Sequence, residues 1–408
     1  MLDGWWLSPF YPLQPAQDWM KVFAKAGFAS TAYSVGSSAD LNTQQLLVGS
    51  NAVFGGSLTS LTVSGTGRPV RKETLVYKTV DDVDIEADVY LPEAPSSTLM
   101  PIAILIHGGG HMTLSRQAVR PQQIVHLLAR GVLPVSIDYR LAPEINIIEG
   151  AFEDVRDAVT WARDKLPPLM KDKGIRLDPK RLAVVGWSSG GQLAMSTGWT
   201  LPRLGLPAPN VIVSFYAPVD FLSDDLFPRN QVGIKAKFSP ERLAQIQLRP
   251  KPLTNYTVGG DENPELGWVK SGDPRSECLA ALFSGGAEVH RFGLSLMLSG
   301  QAHHRTVGEV VASEVIPERC AEACPTAHVK AGDYRAPTYI VHGEADQIAP
   351  FSSAVRLHEE LERQGVRSGF TIKEMGGHVL DVRLKPGDPD WSVHVAPAYA
   401  FMFELLSV

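Results

Sequence analysis

The feature that most limits how this chain can fold is a series of short, uninterrupted apolar runs at residues 101–106, 132–137, 182–185 and 211–215, with helical patterns between them. Each run is too short for a helix, and a run that is apolar at every position has no solvent face. That is the pattern of strands buried on both faces of a parallel sheet. Phe152, Val155, Val159 and Ala162 recur at helical spacing, and residues 117–130 predict a helix stopped by Gly131. Parallel neighbours need crossover connections, so repeated strand-helix units predict an α/β protein with a doubly wound, mostly parallel sheet. Ahead of it, residues 74–77 and 85–91 alternate apolar and polar positions, as half-buried antiparallel strands do.

The rhythm stops after Val219-Asp220 and resumes at residues 337–341. A helix capped by Ser352, with Ala354, Leu357 and Leu361 on one face and Gly365 at its end, is predicted next, then a strand at 370–373 and a last helix near 397–406. The chain therefore divides into an N-terminal arm or lid (1–72), a core (73–221 and 335–408) and a cap insertion (222–334). The cap is expected over the sheet's carboxyl edge, where open sheets of this kind bind ligands. Its Leu294, Leu296 and Leu298 are expected to pack the cap onto the core or to line a substrate pocket.

At the end of the third run stands Gly186-Trp187-Ser188-Ser189-Gly190-Gly191, of the form G-x-S-x-G. A serine at the tip of a sharp strand-to-helix turn needs small neighbours two positions away on each side, which Gly186 and Gly190 provide. Ser188 is the candidate nucleophile. The first strongly apolar strand ends in His107-Gly108-Gly109-Gly110-His111, where glycines let backbone N–H groups approach a carbonyl closely. Gly109 and Gly110, with the N–H of Ser189, make a candidate oxyanion hole. Asp138-Tyr139-Arg140-Leu141-Ala142-Pro143-Glu144 follows the next strand, His342-Gly343-Glu344-Ala345-Asp346 a later one, and Gly376-Gly377-His378 the last. The order Ser188, Asp346, His378 is that of an α/β-hydrolase triad, with His378 as base and Asp346 holding its tautomer.

Other residues compete for these roles. Glu344 is the alternative acid, and Asp381 is expected to cap the next segment. His107 and His342, each leading a glycine turn, are expected to make structural hydrogen bonds. His303 and His304 are neighbours that face different directions, as a metal site would not have them. Cys278, Cys320 and Cys324 are too few and too scattered for a disulfide framework, although the spacing of Cys320 and Cys324 suits one helical face.

The set HGGG, DYRLAPE, GWSSGG, a late Asp and a late GGH resembles the hormone-sensitive-lipase-like branch of the α/β-hydrolases over residues 75–220 and 335–408. More narrowly, HGGGHMTLSR, GWSSGGQLAM and Gly272-Asp273-Pro274-Arg275-Ser276-Glu277 are similar to releasing thioesterase domains of fungal non-reducing polyketide synthases and their stand-alone relatives. That resemblance implies hydrolysis, or another acyl transfer, on polyketide esters or thioesters. The sequence departs from the common GDSAG elbow at Trp187 and Ser189, and His111 stands where an aromatic or aliphatic residue often follows the glycines.

With 408 residues, 44% of them hydrophobic, the chain has material for a large core. Its 38 basic and 44 acidic residues, net charge −6, leave no basic footprint for nucleic acid or an anionic membrane. No basic leader and no stretch near the roughly 18 apolar residues of a spanning helix is present, so a cytoplasmic protein is expected. The expectation is a serine hydrolase of carboxylic esters or thioesters, working without cofactor or metal through an acyl-enzyme. Its substrate would be a small molecule, or a carrier-bound polyketide. Alternatives are a cyclisation, condensation or other product-releasing acyl transfer at the same site, and a non-catalytic ligand receptor on the same fold.

Overall fold

The structure is a computed structural model, and it describes residues 30–32, 48–50, 70–94, 96–223, 240–256, 273–283, 287–301, 303–313, 315 and 317–408. The chain forms two compact units: residues 1–57 with 232–235, and residues 58–231 with 236–408. In the first unit the described strands β1 (Ser30–Ala32) and β2 (Val48–Ser50) pair antiparallel, Ser30 opposite Ser50. The rest of the expected arm at 1–72 lies largely outside the described residues.

The second unit is built on eight strands: β3 (Lys72–Val80), β4 (Val83–Tyr90), β5 (Ser96–Ile106), β6 (Leu133–Ile137), β7 (Ile175–Trp187), β8 (Val211–Phe215), β9 (Thr338–Gly343) and β10 (Ser368–Lys373). Their order across the sheet is β10-β9-β8-β7-β5-β6-β4-β3. β3 and β4 pair antiparallel, β4 joins β6 antiparallel, and all remaining pairs are parallel. Every residue of β6 and β8 is buried, as their unbroken apolar runs require, and β3, with one wet face, alternates.

Helices cover the sheet: α1 (Pro121–Ala129), α2 (Glu153–Asp164), α3 (Leu166–Lys171) and α4 (Ser189–Arg203), and, after β9, α11 (Phe351–Arg363), α12 (Pro389–His394) and α13 (Ala396–Leu406). The helix predicted at 117–130 is split, a short 3-10 turn at Arg116–Ala118 preceding α1, and Gly131 ends it with φ +70°. Ser352 is not the cap of α11: Pro350 holds that position, and Ser352 lies inside the helix. Trp391, Val395, Tyr399, Met402 and Phe403 from the C-terminal helices join Leu105, Val185 and Phe215 of the strands in one core.

Between β8 and β9 the described residues form α5 (Pro240–Ala244), α6 (Pro274–Phe283), α7 (Ala287–Leu298), α8 (Val307–Ala312), α9 (Pro317–Ala323) and α10 (Pro325–Ala331). Leu294, Leu296 and Leu298 on α7 are buried. The last two cysteines do not share a helix, because Pro325 at the first position of α10 starts a new one. Cys320 lies in α9 and Cys324 is the N-cap of α10. The backbone N–H of Phe221 donates to the Cys324 thiol at 3.3 Å, fastening the segment to the chain leaving β8. His303 and His304 do not diverge either; their ring centres are 4.6 Å apart. No described helix is long and apolar enough to cross a membrane.

Candidate active site

Because β5 to β10 are parallel, their carboxyl ends share one edge, and the loops leaving that edge carry the candidate residues. His107 follows β5, Asp138 follows β6, Ser188 follows β7, Tyr216 follows β8, Asp346 comes after β9 and His378 after β10. Ser188 sits at φ +55°, ψ −126°, a conformation L-residues rarely adopt, directly before α4. The crowding explains the glycines: a Cβ on Gly186 would overlap the Gly190 carbonyl, and one on Gly190 would overlap the carbonyls of Ile106 and His107. The turn can be this tight only while both positions lack a side chain.

The structure brings Ser188, His378 and Asp346 into one chain of hydrogen bonds. The Ser188 hydroxyl lies 2.9 Å from His378 Nε2, and His378 Nδ1 lies 2.8 Å from Asp346 Oδ2. With Asp346 ionised, Nδ1 carries the proton and donates, leaving Nε2 to accept from the serine. The other carboxylate oxygen, Oδ1, accepts the N–H groups of Ile348 (2.8 Å) and Ala349 (3.0 Å). Burial pushes the Asp346 pKa up, but His378 and a hydrogen bond from His342 outweigh it and hold the carboxyl well below the usual range. Glu344 stands apart: it is exposed, and its N–H is tied to the Lys373 carbonyl at 3.0 Å. His342, expected to make a structural hydrogen bond, has its Nε2 3.0 Å from the Ala349 carbonyl, and the same nitrogen lies 3.2 Å from Asp346 Oδ2.

Gly109 and Gly110 have φ +96° and +60°, which suits glycine, and among the described residues neither N–H has a backbone acceptor. The Gly109 carbonyl accepts from the N–H groups of Met112 and Thr113, so the loop folds back on itself. Ser189 is the first residue of α4, directly after Ser188, so its N–H is among the free donors at the helix start, where the helix dipole favours negative charge. The side chain of Ser189 also acts on this loop. Its hydroxyl accepts the His111 N–H at 3.2 Å, pinning the glycine loop to the nucleophile helix. An alanine here would leave that N–H without this acceptor. Tyr139 supports the same loop from below, its hydroxyl reaching the carbonyls of His107 (3.1 Å) and Gly108 (3.2 Å) while its ring stacks on His107 at 4.4 Å. Burial pulls the pKa of both His107 and His111 down to about 3, so both rings are neutral near pH 7.

Asp381 is not a cap. Its Oδ1 accepts from the Tyr216 hydroxyl at 2.6 Å, and its Oδ2 accepts from Trp187 Nε1 at 2.8 Å and Gln123 Nε2 at 2.7 Å. Trp187 thus has a role that the motif G-x-S-x-G does not reveal. Arg275, inside the GDPRSE stretch, donates to the carbonyls of Met112 (2.7 Å) and Ala142 (2.6 Å) and pairs with Glu144 at the end of DYRLAPE. Leu114 and Tyr256 form an antiparallel bridge nearby, and the Arg275 guanidinium lies over the Tyr256 ring at 5.4 Å. The inserted segment is therefore seated directly on the loop that carries Gly109 and Gly110. In the sequence Arg275 stands out only as part of a resemblance, since nothing local marks a partner 131 positions away.

The fold defines the class: the chain has the α/β-hydrolase fold, and residues 103–247 match the family described as alpha/beta hydrolase fold. Within that class it is similar to parts of fungal non-reducing polyketide synthases. It is 42% identical over 417 residues to atr1 of Stereocaulon alpinum, covering 100% of this chain and 16% of that protein. To ascC of Acremonium egyptiacum it is 42% identical over 330 residues, covering 81% of this chain and 15% of the relative. The chain thus spans less than a fifth of the length of these curated relatives. Among solved structures, Thermogutta terrifontis esterase 2 phosphonylated by sarin superposes with a TM-score of 0.51 at 19% identity, covering 82% of this chain and 95% of that one. The same esterase phosphorylated by paraoxon gives 0.50 at 17%, covering 82% and 94%. At such identities the likeness is one of fold.

Proposed function

We propose that this protein is a serine hydrolase that cleaves a carboxylic ester or thioester of a polyketide through an acyl-enzyme on Ser188. The observation that carries the reading is the hydrogen-bonded chain from Ser188 through His378 to Asp346, on a turn that holds the serine at φ +55°. In this reading His378 Nε2 takes the serine proton as Oγ attacks the acyl carbonyl. The N–H groups of Gly109, Gly110 and Ser189 receive the developing oxyanion, and His378 returns its proton to the departing alcohol or thiol. Water activated by the same imidazole then releases the acid. Asp346 stays ionised throughout and stabilises the imidazolium. The polyketide part of the reading leans on the relatives, which are named as non-reducing polyketide synthases, and the ester part on the fold, shared with a bacterial esterase.

The test is to incubate the purified protein with a fluorophosphonate probe and map the modified peptide, then to follow thiol or alcohol release from matched aromatic thioesters and esters. Label on Ser188, and a loss of about 10⁴-fold or more in a folded Ser188→Ala variant, are expected. Turnover at the parental rate in that variant, or label elsewhere, would remove the proposal.

A further inference from the structure

The loop that delivers His378 is under backbone strain. Met375 and Val379, on either side of Gly376-Gly377-His378, both have φ +54°, and Val379 is β-branched, a residue type that rarely enters that region. Tyr216, at the end of β8, is also at φ +38°. Strained residues persist only where their surroundings over-determine them. The surroundings of this loop include, besides Asp346, a second buried carboxylate, Asp381, three positions after His378.

Asp381 is 1% exposed and gathers donors from several elements. Trp187 Nε1 comes from the last residue of β7, immediately before Ser188, and the Tyr216 hydroxyl comes from the end of β8. Gln123 Nε2 comes from α1, and Arg120 Nε, at the cap of α1, lies 3.4 Å away. Arg120 Nη2 also donates to the Tyr216 hydroxyl at 2.8 Å, and Gln123 accepts from Tyr399 on α13 at 2.6 Å. The Tyr216 ring in turn stands edge-on to the His378 imidazole, with centres 4.8 Å apart. The two side chains that must meet for proton transfer, Ser188 and His378, therefore hang from elements joined at one anion. Asp381 does not serve as the acid itself, because His378 Nδ1 is taken by Asp346.

We propose that Asp381 is a positioning residue: it clamps the His378 loop to the strand ends that carry Ser188 and Tyr216, and so keeps the imidazole within reach of the serine hydroxyl. This rests on the reading of Ser188, His378 and Asp346 as the reacting groups. Losing the clamp lets the loop relax toward ordinary φ values, and a displacement on the scale of an ångström costs on the order of 10²-fold in rate. The substrate's own contacts are unaffected, so the loss falls on kcat and not on KM.

The experiment compares Asp381→Asn, Tyr216→Phe and the double variant with the parent protein, using fluorophosphonate labelling rates and kcat and KM on one ester, on material shown to be folded by its thermal transition. If the parent protein itself is not labelled at Ser188, the functional reading fails and the clamp is not at issue. With the parent labelled, the clamp predicts roughly 10²-fold slower labelling and lower kcat for Asp381→Asn, with KM nearly unchanged. It also predicts a smaller loss for Tyr216→Phe, and a double variant close to Asp381→Asn alone, because both changes act on one network. Should Asp381→Asn fail to fold, Tyr216→Phe, which removes one donor at nearly constant shape, carries the same prediction. Folded variants that are labelled at the parental rate, with only their melting temperature lowered, would overturn it.

Discussion

His342 Nε2 lies 3.2 Å from Asp346 Oδ2, the same oxygen that meets His378 Nδ1 at 2.8 Å. With two backbone N–H groups on Oδ1, the carboxylate faces donors on every side, and each favours its ionised form. An asparagine would have to turn its amide N–H toward one of these donors. Asp346→Asn is therefore expected to lower kcat/KM by on the order of 10⁴-fold, while Glu344→Gln, on an exposed side chain, leaves it nearly unchanged. Steady-state kinetics of the two variants on one ester decide it; a larger loss in Glu344→Gln would reassign the acid.

Gly190→Ala is expected to cost stability, since the added methyl group meets the carbonyls of Ile106 and His107, which belong to the central strand β5 and the loop leaving it. Overpacking against backbone that cannot move should destabilise by roughly 1–3 kcal/mol or more. Soluble yield and the denaturant midpoint would show it. A variant as stable as the parent would mean that the turn has room.

Acid should weaken the fold in a predictable window. Burial lowers the pKa of His107 and of His111 from 6.5 to about 3, so between those values the unfolded chain binds protons that the folded chain refuses. The stability these rings contribute is full above pH 6.5 and is lost as the pH falls toward 3, at up to about 1.4 kcal/mol per pH unit for each. Asp346, depressed as well, adds to the loss at lower pH. Asp138 runs the other way: burial, stronger than its pairing with Arg116, raises it to about 6, and protonation below that favours the folded state. The melting temperature should fall from pH 7 to pH 4, and His111→Phe should make that fall shallower. An unchanged slope would contradict the burial of a neutral imidazole.

The Arg275–Glu144 pair, buried where the inserted segment meets the loop after β5, gives a further expectation. Arg275→Met strands Glu144 in a dry site and should destabilise by about 3–5 kcal/mol, whereas Arg275→Met with Glu144→Gln should recover much of the loss. Thermal unfolding of the single and double variants measures the coupling. Additive losses would mean that the two side chains do not act together.

Much of this was legible in the chain because the signals are local. The apolar runs at 101–106, 182–185 and 211–215 lie within β5, β7 and β8, and Gly186 and Gly190 announce a turn with no room for side chains. What stayed hidden depends on partners far along the chain. Asp381 reads equally as a cap or a buried anion until Trp187, 194 positions away, is seen to donate to it. Cys320 and Cys324 suit one helical face by spacing, but Pro325 starts a new helix and separates them, which spacing alone does not show. His342 looked like a strand-end histidine, and only the bend of the following loop brings Asp346 back to it.

A covalent acyl group on Ser188 is the step on which the proposed function stands or falls, and rapid-quench mass spectrometry tests it most directly. Mixing the protein with an excess of an aromatic acyl thioester and quenching within the first turnover should yield the Ser188 peptide heavier by the acyl group. The adduct should form and decay at rates that account for kcat, and none should appear in Ser188→Ala. Steady turnover with no adduct on Ser188 at any time, or with the acyl group on another residue, would contradict it.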